Sequence, residues 1–201
     1  MRIIAGQKRG MKLLPPKGMT TRPITDRVKE SLFSVLCNKY DIVRGRRIAD
    51  LFSGTGSLGL EALSRGAEHA LFVERDSKVV AILEKNIARA AFVAQSKVIR
   101  ANAFKVGAPV GAKAEKFDLI FKDPPYASSQ DVTENSQLGK LMTMLPEQMA
   151  ADGIAVVRTS DRTRLLDRYG PLETIETRVW GTMAVAFFKL SESDSPEGQN
   201  V

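Results

Sequence analysis

The sequence predicts an α/β fold: a mostly parallel, Rossmann-like sheet of seven strands with helices on both faces and a terminal antiparallel hairpin. Three observations carry that reading. From residue 46 onward, strand-like and helix-like segments alternate strictly. The strands are nearly continuous apolar runs, as in "ALFVER" and "KFDLIF", the pattern of strands buried on both faces. The last two runs, "TIETRVW" and "MAVAFFKL", are separated only by Gly181 and Thr182, which is too short for a crossover and right for a tight turn.

The elements follow in order. "RIIAGQKRGMKLL" reads as two short strands, residues 2–5 and 11–14, around a Gly-flanked polar turn. "PPKGMTTRP" is a connector broken by prolines. A helix starts at "TDRVKESLFSVLCNK", capped by Thr25 or Asp26, with Val28, Leu32, Val35 and Leu36 along one face. "RRIADLFS" is a strand, "LGLEALSRG" a helix closed by Gly66, and "ALFVER" the second strand. "SKVVAILEKNIARAAF" is a helix with Val79, Ile82, Leu83 and Ile87 inward, followed by the strand "SKVIRAN". "AFKVGAPVGAKAE" holds at most a short helix before the strand "KFDLIFKD". A helix around "SQLGKLMTMLPEQMAA" leads into "GIAVVRTS", and a short helix covers part of "DRTRLLDRY" before the hairpin. The pattern divides the chain into a basic hairpin extension (1–20), the α/β domain (21–190) and an acidic tail (191–201) expected to be disordered.

Composition narrows the chemistry. One cysteine, Cys37, leaves no internal disulfide and no thiolate cluster, and one histidine, His69, argues against zinc hydrolases and Ser-His or Cys-His nucleophilic chemistry. Cys37 reads as packing. No apolar run reaches the roughly 20 residues of a membrane span, and a cytoplasmic protein is expected. The net charge of +7 is unevenly placed: residues 1–47 hold 12 Lys/Arg against 3 Asp/Glu, while the rest hold 18 against 20. A basic N-terminal quarter on a near-neutral body suggests a face for a polyanion, or simply a solvated extension.

"DLFSGTGSLGLEALS" places Gly54, Gly56 and Gly59 as G-x-G-x-x-G between a strand and a helix. Glycines allow a tight turn and close backbone approach, and the helix start offers free N–H groups. Glu74, twenty residues after Gly54 at the end of the next strand, can accept both hydroxyls of an adenosine ribose. Leu60 and Glu61 follow Gly59 where a P-loop needs Lys and Ser/Thr, so a nucleoside triphosphate is disfavoured. A dinucleotide such as NAD and S-adenosylmethionine both fit. Asp50 would lie near the ammonium end of the latter, or would only brace the loop. Asn102, after the third strand, would contact the adenine or cap the following turn.

The fourth strand ends in "DPPY". Pro124 and Pro125 lack the N–H a ladder requires, so they must lie at or beyond the sheet edge. Such a stiff segment could hold Asp123 and Tyr126 toward a substrate outside the carboxyl ends of the strands. Together with "MRIIAGQKRGMKLLPP", "TRPITDRVKESLF", "DLFSGTGSLGLEALSRGA", "ERD" and "NA", this segment resembles the bacterial 16S rRNA (guanine 966)-N2-methyltransferase family. The resemblance runs in order and spacing from Met1 to about Leu190. Lys122 departs from it, standing where an apolar residue is expected; it could snorkel or reach RNA phosphate.

The resemblance implies a class I methyltransferase that binds S-adenosylmethionine through Gly54, Gly56, Glu74 and Asn102 and releases S-adenosylhomocysteine, without a metal. It implies Asp123, Pro124 and Tyr126 at the target base, with Arg22, Thr25 and Arg27 on a segment that closes over the cofactor; Thr25 fits a helix cap equally. In this reading Arg2, Lys8, Arg9, Lys12 and Lys17 hold phosphates of small-subunit ribosomal RNA, in an assembling or assembled 30S subunit, and the enzyme is a monomer. Asp-Pro-Pro-Tyr alone would also fit adenine-N6 methylation of DNA or RNA. An NAD-dependent oxidoreductase explains only the glycines and Glu74. A non-catalytic RNA-binding assembly factor rests on the charge asymmetry alone.

Overall fold

Five parallel strands and an antiparallel hairpin form one sheet in the computed structural model, which describes residues 1–16, 24–111, 116–124 and 130–191. The strands are β1 (Arg47–Leu51), β2 (His69–Glu74), β3 (Ser96–Arg100), β4 (Phe117–Lys122), β5 (Met149–Ser160), β6 (Arg168–Tyr169), β7 (Leu172–Trp180) and β8 (Met183–Leu190). Their order is β3-β2-β1-β4-β5-β8-β7-β6. The strand order reverses between β1 and β4, which pair in parallel. Their carboxyl ends therefore flank the crevice where doubly wound sheets bind ligands.

The helices are α1 (Asp26–Asn38), α2 (Ser57–Ser64), α3 (Ser77–Ala90), α4 (Ala103–Val106) and α5 (Gln137–Met144). Of the two candidate caps for α1, Thr25 takes the position: its Oγ1 accepts from Val28 N at 3.3 Å. Sheet residues alternate between two cores. Leu119 and Phe121 join Phe33, Leu36, Phe72 and Leu83 on one side. Ile120 joins Leu141, Met142, Met149 and Tyr169 on the other.

Three expectations change. The sheet has eight strands, because the two-residue β6 pairs with β7 at its edge. No helix forms in "DRTRLLDRY". The spacing of Leu165, Leu166 and Tyr169 imitates a helical face, but Tyr169 is fully buried and its hydroxyl donates to Val132 O at 2.8 Å while accepting from Leu166 N. A buried phenol needs such partners, and this anchoring holds the segment irregular.

The two strands expected at the N-terminus reduce to one bridge, Arg2 with Lys12, flanked by Ile3 N→Met11 O and Gly10 N→Ile3 O. The reason is local. Backbone groups that would extend the ladder bond to α2 instead: Ile4 N and Ala5 N donate to the Glu61 carboxylate at 2.7 and 3.0 Å, and Gln7 N donates to Ser64 O. Gly6 has φ +79°, and a Cβ there would stand 1.7 Å from Ser64 O, so only glycine permits this approach. Asn86 of α3 finishes the docking by bonding both Leu14 N and Leu14 O, while its amide also donates to Thr55 O in the glycine loop. The segment carrying the basic residues is thus tied to the loop expected to hold the cofactor. Residues 192–201, expected to be a disordered tail, lie outside the described residues.

Candidate active site

The glycine loop leaves β1 through Phe52, which has φ 62°, and reaches α2 at Gly56, φ +87°. Its three glycines do different things. A Cβ on Gly56 would lie 2.6 Å from Leu83, and one on Gly59 2.3 Å from Phe72; both serve packing. A Cβ on Gly54 would meet nothing closer than Phe52 O at 4.0 Å. Gly54 therefore offers the open backbone against which a ligand can lie.

Three acids converge on this loop. Glu74, half-buried at the end of β2, accepts from Gly54 N at 3.1 Å through Oε2 and from Arg75 N and Asp76 N through Oε1. Asp50 is buried on β1, and its Oδ2 accepts from Gly59 N at 2.9 Å, so it braces the loop. Burial, helped by the charges of Asp123 and Glu74, pushes its carboxyl up to about 7 against the opposing Gly59 hydrogen bond. Asp123 follows β4, and its N lies 3.5 Å from Leu51 O at the end of β1. Carboxylates gathered around one loop favour a cationic ligand that would relieve their mutual repulsion. S-adenosylmethionine, with an ammonium and a sulfonium, has that chemistry.

Asn102 caps α4, its Oδ1 accepting from Phe104 N at 3.1 Å, which matches the turn reading of this residue. Pro124 is buried beside Asp123. Tyr126, Lys17 and Arg22 lie outside the described residues. Of the basic residues, Arg2 is paired with Asp26 at 2.7 Å, and Lys8 lies over the Phe92 ring. Arg9, Lys12 and Arg27 are exposed.

Four residues were not anticipated in their roles. Lys122 neither snorkels nor reaches solvent: it is 1% exposed, and its Nζ donates only to Leu138 O at 3.4 Å among the described residues. Burial drives its amine well below the usual lysine range. Glu61 and Lys29 form a buried pair at 3.5 Å, with Arg65 also donating to Glu61 and Lys29 Nζ donating to Arg2 O. The sequence signal was present, since Lys29 shares the helical spacing of Leu32, Phe33 and Leu36, and Glu61 stands in a helix without a polar face. The fourth is Arg158 of β5, whose Nε donates to Asp123 Oδ1. Cys37 packs, half-buried, against the α1 core, and burial raises its thiol. Among the described residues no group of three His, Cys, Asp or Glu side chains could hold a metal, and no helix is long and apolar enough to cross a membrane.

Known proteins resemble this chain in sequence and fold. YlbH of Bacillus subtilis, a candidate rRNA methyltransferase, is 35% identical over 191 residues, covering 94% of this chain and 98% of its own. Ribosomal RNA small subunit methyltransferase D of Escherichia coli is 39% identical over 126 residues, 63% of this chain and 60% of that protein. The solved structure of the E. coli methyltransferase candidate yhhF superposes with a TM-score of 0.77 at 30% identity, covering 95% and 98% of the two chains. An RNA methyltransferase from Salinibacter ruber, solved with S-adenosyl-L-homocysteine, shares the fold at 17% identity, a TM-score of 0.61 and coverage of 90% and 100%. The fold and these relatives define a class I, S-adenosylmethionine-dependent methyltransferase. Within that class the chain belongs to the family described as Conserved hypothetical protein 95, whose model matches residues 1–189.

Proposed function

We propose that this protein transfers a methyl group from S-adenosylmethionine to the exocyclic N2 of a guanine in small-subunit ribosomal RNA. The observation that carries the reading is the placement of Asp123 and Pro124 beside the end of β1 and its glycine loop. The names of the relatives support ribosomal RNA as the substrate. Guanine N2, the loop guanine numbered 966 and the 30S context follow from the resemblance of "DPPY" and the N-terminal blocks. So do action as a monomer and a cytoplasmic setting.

Gly54, Glu74 and Asp50 would hold the cofactor, with Asn102 toward the adenine and Thr25 on a closing segment. S-adenosylmethionine supplies the methyl as an electrophile. The guanine amino group is a poor nucleophile because its lone pair is delocalised into the ring. Asp123 Oδ2 and the Pro124 carbonyl would accept its two N–H bonds and favour a pyramidal nitrogen whose lone pair is free for the methyl group; the proton that the methylated nitrogen gives up would pass to Asp123 Oδ2. Fixed acceptors and alignment supply the catalysis. Tyr126 offers a ring on which an extruded base can stack. Arg2, Lys8, Arg9, Lys12, Lys17, Arg22 and Arg27 would take RNA phosphates. Nucleoside analysis of small subunits treated with the enzyme and labelled cofactor tests this reading: label is expected in N2-methylguanosine, and label in N6-methyladenosine would replace it with the adenine reading.

A further inference from the structure

Arg158 is the residue of the site that neither motif accounts for. It projects from β5 on the same side as Ile154 and Val156, toward the crevice side of Asp123. Its side chain is 13% exposed, and the Asp123 side chain is 21% exposed. One donor, Nε, is committed to Asp123 Oδ1. Another, Nη1, is buried and has no partner among the described residues. The fork is rigid and planar, so the bonded donor fixes the carboxylate oxygen that it holds.

We propose that Arg158 is a positioning residue for methyl transfer: its Nε locks Asp123 by one oxygen and leaves the other to accept the target amino N–H. This rests on the proposed function. The charge balance agrees. Burial raises the Asp123 carboxyl and Arg158 opposes it. Asp50 faces the same crevice from β1 and Glu74 lies at the end of β2, both adding negative charge. Lys122 is committed to Leu138 O on α5. Arg158 is thus the cation bonded to Asp123 among the described residues.

The test compares wild type, R158M and R158K in single-turnover methyl transfer to small subunits lacking the modification, across pH. The Asp123 carboxyl is also titrated by NMR in each protein. Calorimetric affinity for S-adenosylhomocysteine, expected to change little, shows that R158M is folded. R158M is expected to lose rate and to move the acid limb upward by about one to three pH units, because a removed cation within a few ångströms has that effect on a carboxyl. R158K is expected to restore the limb but not the full rate, since a flexible ammonium does not hold the carboxylate in one orientation as the planar fork does. In a D123N background R158M should add little. A wild-type profile and NMR titration in R158M would overturn the proposal, as would independent, multiplying effects of R158M and D123N. If wild type methylates no guanine while the NMR titration still shifts in R158M, the guanine reading fails and the lock on Asp123 stands.

Discussion

Two carboxylates within a dozen residues, Asp50 and Glu61, are both buried beside α2, yet their surroundings are opposite. Glu61 receives Lys29, Arg65 and the N–H groups of Ile4 and Ala5. Asp50 receives one N–H, from Gly59, and faces two further acids. Low-dielectric surroundings penalise a charge unless donors surround it, so the first site is complete within the chain and the second is not. Glu61 fastens the N-terminal segment to the sheet, whereas Asp50 has Gly59 N as its one hydrogen-bond partner among the described residues, and in the proposed function the cofactor's ammonium would be the missing cation.

The largest break in this contrast is Glu61→Gln. It would leave Lys29 buried without a full counter-charge, and urea unfolding should show a loss of about 3–5 kcal/mol, the usual result of removing one partner from a buried pair. Asp50→Asn should behave in the opposite way. Calorimetry should show S-adenosylmethionine binding weakened about 30-fold or more, as for a lost partner of a desolvated charge pair. The melting temperature without ligand should be unchanged or higher. The sign follows from linkage: a carboxyl raised to about 7 in the folded state penalises folding progressively as pH rises from the unfolded value to about 7, and fully above it. Removing the ionisable group removes that penalty.

The same property gives a pH dependence. A cationic ligand binds the ionised form, so wild-type cofactor affinity should fall by up to about tenfold per unit as pH drops below 7, and D50N should lose that slope. The smallest effect belongs to Lys122, a buried amine with one weak hydrogen bond. Lys122→Met keeps the stem volume and removes the polar end; thermal unfolding should show a gain of about 1 kcal/mol.

Regular features were readable because local rules and tertiary context agree. Apolar runs became strands, Gly181 closed the hairpin, and the glycines at 54 and 56 fell in a strand-loop-helix turn as read. What escaped reading depends on contacts distant in sequence. Glu61 bonds residues 56 and 57 positions away, and Arg158 meets an acid 35 positions away. Lys122 follows a strand's apolar pattern that says nothing about whether its amine reaches water. The three glycines matched one motif, but only the geometry separates Gly54, open to a ligand, from Gly56 and Gly59, which permit packing.

Asp123 is the residue on which the proposed chemistry turns, and Asp123→Ala is its most direct test. Single-turnover transfer of labelled methyl to small subunits lacking the modification should fall by about 100-fold or more, the scale seen when a fixed transition-state partner is lost, while S-adenosylhomocysteine still binds. Full incorporation by the Asp123→Ala protein would contradict the account.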